Sequence, residues 1–223
     1  MRILELALPV SDVPTVAAYF RDVLQLAVEH DCVQIGWSTL HLQPAGDTPV
    51  GGVHLAFNVP DNRFAAAEAW LRERSPLQQD SDGKAYFALE SSWQSQSVYF
   101  TGPDGLILEL IGRRRLPAST REGTFHGSEL TCLSEVGLPS TDVPATQAAL
   151  DACFGLKPLS AASPQFAPLG DDEGLLIVVD ASRRWFPEGR DLPKASGLRV
   201  QLGGVAGNAA LDAPVQGWHV TSR

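Results

Sequence analysis

Apolar and polar residues recur along this chain in a fixed order. A short alternating stretch is followed by one with apolar residues at helical spacing, and then by several short alternating stretches. Residues 5–26, ELALPVSDVPTVAAYFRDVLQL, align without a gap on residues 135–156, EVGLPSTDVPATQAALDACFGL. Glu5 falls on Glu135, Leu8-Pro9 on Leu138-Pro139, Asp12-Val13-Pro14 on Asp142-Val143-Pro144, and Leu26 on Leu156. A third copy begins at His54, HLAFNVPDNRFAAAEAWL, with Asp61 as far from His54 as Asp12 is from Glu5. Each copy predicts a strand and then a helix. The Asp is expected to cap the helix N-terminus, with a Pro in the first turn, where its missing N–H is no loss. Val13, Val16, Phe20, Val23 and Leu24 then recur at helical spacing, as do Phe64, Ala67, Trp70 and Leu71.

Short strands are expected after each helix. For the first copy these are Ala27–Glu29, Val33–Trp37 and Thr39–Gln43; for the second they are Tyr86–Leu89 and a hairpin within 97–112. In that hairpin Val98–Thr101 leads into the turn Gly102-Pro103-Asp104-Gly105, and Leu106–Ile111 returns. The repeating unit is strand, helix, strand, strand, strand, with a period of about 50 to 60 residues. Two units fill residues 1–112 and predict one complete two-module domain. Residues 113–128 (RRRLPASTREGTFHGS) lack periodicity and read as a linker. Residues 129–223 are expected to hold a second, incomplete domain of about one and a half modules, with Leu175–Asp180 as the last strand of unit three. A fourth unit starts at Ser196–Leu202, and the Gly-rich 21 residues that follow make it look truncated. The edge this would expose must be covered by the tail or by a second subunit in a homodimer.

Composition narrows the classes. The net charge of −9 argues against nucleic acid and anionic membranes as partners, since both call for basic patches. The longest aliphatic run, Leu175–Val179, is far too short to span a bilayer, and Glu5 and Pro9 interrupt any signal-peptide core. Cys32, Cys132 and Cys153 are odd in number and lie in no metal-binding or redox spacing, which fits reduced thiols in the cytoplasm.

Within the apolar arm Leu106–Ile111 one residue breaks the pattern. Glu109 must point to water or be paired, because a lone carboxylate is costly to desolvate. The repeated units, the strand-Asp-Val-Pro-helix opening and the closing Tyr-Phe-Thr-Gly-Pro-Asp-Gly-Leu-Ile-Leu-Glu-Leu together resemble the vicinal oxygen chelate superfamily. That superfamily includes glyoxalases (lactoylglutathione lyases), extradiol ring-cleavage dioxygenases, and the fosfomycin and bleomycin resistance proteins. The resemblance covers 1–112 well and 130–205 more weakly. It implies an α+β fold of repeated βαβββ modules, with curled mixed sheets around a cleft and helices outside. It also implies metal ligands on the first and last strands of two modules.

Carried over position by position, the resemblance nominates Glu5, where a His is commoner, together with His41, His54 and Glu109. Two imidazoles and two carboxylates suit Zn, Ni, Mn or Fe(II) rather than Ca or Mg. The turn departs from the usual Asp-Pro-Asp-Gly-Asn. Trp93-Gln94-Ser95-Gln96 also lacks the His that ring-cleaving dioxygenases carry before the closing strand.

The function implied is a metal-dependent enzyme of glyoxalase type, a lyase or isomerase acting on a small molecule chelated through neighbouring oxygens, with Glu109 or Glu5 as the base. One alternative is an Fe(II) extradiol dioxygenase, which needs two His and one carboxylate. Another is a non-catalytic protein that binds an antibiotic-type ligand, with Trp37, Trp93, Tyr86 and Phe57 as candidate lining. In the second half, Glu135 and Arg199 stand where Glu5 and His54 stand in the first, which predicts a salt bridge in place of a metal. Arg113-Arg114-Arg115 reads as a solvated linker start. Arg183-Arg184-Trp185-Phe186-Pro187 reads as a loop over the cleft or a subunit contact.

Overall fold

A computed structural model describes all 223 residues. Unit one contains β1 (Arg2–Val10), α1 (Val13–Asp22), β2 (Ala27–Glu29), β3 (Cys32–Ile35) and β4 (Ser38–Pro44). Unit two contains β5 (His54–Val59), α2 (Phe64–Arg72), β6 (Phe87–Leu89), β7 (Ser95–Thr101) and β8 (Ile107–Arg113). Unit three is β9 (Cys132–Ser140), α3 (Val143–Phe154), β10 (Phe166–Asp171) and β11 (Gly174–Asp180). Unit four is β12 (Leu198–Gly203), β13 (Ala210–Ala213) and β14 (Trp218–Ser222). The chain is thus α+β, two curled mixed sheets of βαβββ-type modules, with the helices outside each curl.

In all four units the first strand runs parallel to the last, and the last pairs antiparallel with the strand before it. Units three and four lack the strand that follows the helix, and unit four lacks the helix too. Unit four is therefore shortened internally and still closes with its last strand. Its tail packs in place, with Trp218 and Val220 in the core.

The sheets do not follow the division at 113–128. One sheet has the order β13-β14-β12-β1-β4-β3-β2 and the other β10-β11-β9-β5-β8-β7-β6. Unit one thus pairs with unit four, and unit two with unit three, each through antiparallel first strands. The expectation that units one and two close around one cleft is corrected here, and the physical reason lies in the strands themselves. β1, β4, β12 and β14 alternate between buried and more exposed positions, whereas β5, β8, β9 and nearly all of β11 are buried on both faces. Strands that leave one face wet pair together, and strands that need both faces covered pair together.

One core of 46 buried residues joins both sheets and all three helices, so the two halves do not have separate cores. Phe20 of α1 meets Phe57 of β5 edge to face, with ring centres 6.5 Å apart. Ser38 ties the sheets directly, donating to the Ile3 carbonyl at 2.7 Å and accepting from the Leu133 amide at 3.0 Å. The approach there is close enough that a Cβ on Gly36, which has φ +54°, would lie 1.8 Å from the Thr131 carbonyl oxygen. No helix is long and apolar enough to cross a membrane, and all three cysteines are free.

The caps hold in two copies of three. The Asp12 and Asp142 carboxylates accept from the Thr15 and Ala145 amides, each at 3.0 Å. In the second copy Pro60 precedes Asp61 instead of following it. Asp61 opens a short 3-10 turn, the helix starts at Phe64, and the Asp61 carboxylate accepts from the Gln96 amide at 2.7 Å. Asp12→Ala and Asp142→Ala should each lower stability by about 0.5 to 2 kcal/mol in chemical denaturation. Asp61→Ala should instead act through β7, so that adding Gln96→Ala to it costs little more.

Candidate functional site

Strand β5 lies at the centre of its sheet and organises the site. In register, Ala56 stands between Glu109 of β8 and Glu135 of β9. His54, two positions earlier, shares that face because side chains alternate along a strand. The Ala56 methyl leaves room for the three larger groups to converge. His54 Nε2 lies 3.4 Å from Glu109 Oε2 and 3.5 Å from Glu135 Oε2. All three residues are buried, and their ligand atoms lie within 4.8 Å of one another, so this trio could hold a metal ion.

The charge balance depends on Arg113, the last residue of β8, which is 0% exposed. Its Nη2 donates to Glu135 Oε1 at 2.5 Å and its Nε to Ser134 Oγ at 3.2 Å, with Trp93 over the guanidinium. Burial pushes the Glu135 carboxyl up, but the hydrogen bond from His54 and the charge of Arg113 outweigh it, so its pKa is held below the usual value. Glu109 is pushed well above that value, first by burial and then by Glu135, against the opposing effect of Ser97, Tyr99 and Arg113. Two neighbouring carboxyls beside one internal cation thus have their pKa values pushed in opposite directions. His54 Nδ1 and Arg113 Nη1 are buried without a partner.

Above the trio lies a cavity of about 320 Å³. The loop after β11 covers it. Trp185 donates from its indole to the Gly52 carbonyl at 2.8 Å, and its ring lies 5.2 Å from the His54 ring. Gly137 permits this, since a Cβ there would lie 2.7 Å from the indole. Phe186 packs on Phe87 and Tyr99, with ring centres 4.6 and 5.4 Å apart. The Arg183–Pro187 loop thus covers the cleft, one of the two roles expected of it. Of the four expected lining aromatics, Trp93 lines the cavity. Phe57 lies in the main core, Tyr86 is on the surface, and Trp37 stacks under Arg2.

The four nominated residues Glu5, His41, His54 and Glu109 do not form one cluster. Glu5 and His41 belong to the other sheet, because β1 and β4 pair with unit four. There His41 Nε2 lies 3.6 Å from Glu5 Oε2, both half-exposed, with Arg223 on Glu5 and Cys32 beside His41. Glu135 takes the place these two were expected to fill. Its partner is Arg113 and not Arg199, which is exposed on β12 in register with Ala7. Arg113 escapes a reading of the sequence because it opens a run of three arginines. Only Arg114 and Arg115 behave as surface cations, pairing with Glu90 and Asp172. The available signal was the alignment of Glu135 on Glu5, and through it on His54.

The whole chain overlays on a Bacillus subtilis protein described as a candidate dioxygenase, with TM-score 0.61 and 16% identity over 85% of that chain. It also overlays on glyoxalase I of Zea mays, with TM-score 0.56 and 15% identity over 99% of this chain and 91% of that one. This is the vicinal oxygen chelate fold. No protein-family model matches the sequence, and no curated protein does. At such identities the likeness concerns the fold, and the site has to be read from this chain's own residues.

Two outcomes test the electrostatics. Arg113→Met strands the buried Glu135 charge and should cost about 3 to 5 kcal/mol, much of it recovered by adding Glu135→Leu. Arg199→Met should stay within about 0.5 kcal/mol of the parent. The second outcome concerns pH. A carboxyl raised in the folded state makes stability fall as pH climbs above its unfolded pKa, near 4.5. A depressed one, such as Glu135, loses its contribution only as pH falls through its folded pKa. In EDTA, Glu109→Gln should therefore melt about 2 to 4 °C above the parent at pH 8, and at the same temperature at pH 4.

Proposed function

We propose that the protein is a metal-dependent enzyme of glyoxalase type, a lyase or isomerase, acting on a small substrate that presents two neighbouring oxygens at His54, Glu109 and Glu135. The observation that carries the reading is the spacing of this trio. Metal–ligand bonds of about 2.0 to 2.2 Å set neighbouring donors roughly 3 to 3.5 Å apart. The two His54 separations, 3.4 and 3.5 Å, match that. The charge supports it too: two carboxylates face one internal guanidinium in a dry site, so a divalent cation has negative charge to balance. One imidazole and two carboxylates suit Zn, Ni, Mn or Fe(II).

A bound ion supplies Lewis-acid polarisation of a substrate oxygen. The chain's own residues supply the rest. Arg113 holds Glu135 ionised and fixes its orientation, leaving Oε2 toward His54. Glu109, with its raised pKa and Tyr99 opposite it on β7, is suited to take a proton from the carbon beside the paired oxygens and return it to the neighbouring carbon. Trp185 and Phe186 keep water from the reacting atoms. The dioxygenase reading is less well supported, because it calls for two imidazoles where the trio has one.

Protein purified without chelator should carry about one first-row metal ion per chain by elemental analysis. His54→Ala should lose it and His41→Ala should keep it. A chain that is metal-free as isolated, and does not bind Zn, Ni, Mn or Fe(II) on titration, would remove this reading.

A further inference from the structure

On the open face of the other sheet, the hairpin of β2 and β3 carries four consecutive residues of metal-ligating type, Glu29-His30-Asp31-Cys32. Register sets Glu29 of β2 opposite Cys32 of β3, and Cys32 opposite His41 of β4. Directly opposed residues share a face of the sheet, so Glu29, Cys32 and His41 form one row across it. The Cys32 Sγ lies 3.3 Å from His41 Nδ1 and 3.5 Å from Asp31 Oδ1. The other ring nitrogen, His41 Nε2, faces Glu5 Oε2 at 3.6 Å, and Arg223 holds the second Glu5 oxygen at 3.3 Å.

A thiol has one proton to give, so an S–H hydrogen bond explains only one of the two short contacts made by the sulfur with acceptors beside it. A cation explains both. Bonds of about 2.3 Å to sulfur and about 2.0 to 2.2 Å to nitrogen or oxygen, at a tetrahedral angle, set such donors roughly 3.5 Å apart. The observed separations of 3.3 and 3.5 Å agree with that. Glu5 stands where a second carboxylate orients a metal-bound imidazole: by accepting from Nε2 it leaves the Nδ1 lone pair toward the sulfur. Glu29 and Asp31 add negative charge beside the sulfur, which opposes a free reactive thiolate and favours a bound cation. Asp31 and His41 have to draw together around the ion. Asp31 is exposed, with the sulfur as its one side-chain partner, so its carboxylate can turn to do so.

We propose that Cys32, His41 and Asp31 form a surface site for a thiophilic divalent cation of the zinc type, with Glu5 as the positioning residue behind His41. Binding releases the Cys32 thiol proton. A thiolate ligand selects Zn, Co or Cd over Ca and Mg, which prefer oxygen. The site lies on the opposite sheet from His54, Glu109 and Glu135 and rests on no reading of that trio. With three protein donors and an open side it should bind Zn at roughly micromolar concentration and release it on gel filtration, so it adds nothing to the ions retained through purification.

Co(II) is the probe, because the trio contains no sulfur and a thiolate-to-Co(II) charge-transfer band reports this site alone. Adding Co(II) to chelator-treated protein should raise that band in the near ultraviolet, and Zn(II) should displace it. Cys32→Ser should abolish the band. His54→Ala, and Cys153→Ser at the other half-buried cysteine, should leave it unchanged. His41→Ala should weaken Co(II) binding by more than about tenfold, and Glu5→Gln by about tenfold. All the substituted groups at the site are at least partly exposed, so these variants should keep the fold. No band in excess Co(II), a band that survives Cys32→Ser, or an affinity unmoved by both His41→Ala and Glu5→Gln would overturn the proposal.

Discussion

The Arg113–Glu135 ion pair sits where two strands from different units face each other across β5, out of reach of water. Much of this protein depends on it. Glu109 and Glu135 flank the same alanine, and without an internal cation both could not be placed there in a dry sheet. His54 and Arg113 hold the Glu135 carboxyl below its ordinary pKa, while burial and then the neighbouring Glu135 push Glu109 above its own. Such a pair adds little to stability by itself, because desolvation consumes most of the attraction. What it provides is a defined charge pattern beneath a cavity.

The two sheets show how one repeating unit can be put to two uses. Both join a four-stranded unit to a three-stranded one through their first strands. In the sheet of units one and four the face with Glu5 and His41 is open to solvent, so its polar groups are hydrated and its ion pairs contribute little. In the other sheet the corresponding face is roofed by Trp185 and Phe186, and its two carboxyls, in contact with His54, acquire shifted pKa values. The difference lies in the roof. Gly137 admits the indole, and the Gly52 carbonyl anchors it.

The roof also links the cavity wall to its floor. Aromatic rings that line the cavity are the ones that exclude water from the floor. Their packing against Tyr99, which stands opposite Glu109, joins the cavity wall to the carboxyl proposed as the base.

From sequence alone the repeat, the helix caps at Asp12 and Asp142, the hairpin at 97–112 and the βαβββ class were legible. All of these are set by local backbone chemistry and by the period of apolar residues. His54 and Glu109 were also legible, since each breaks an apolar strand at a fixed place in the unit. The partnership of the units was not legible, because pairing is a long-range choice among similar strands, and the difference that decides it is visible only when strands are compared. β1 and β12 alternate, while β5 and β9 do not. Once that choice is made in the folded chain, Glu5 and His41 leave the site and Glu135 enters it. Arg113, one of three consecutive arginines, becomes the buried one because it alone still lies within β8. A side chain's charge is written in the sequence; whether water surrounds it is decided by what packs above the sheet.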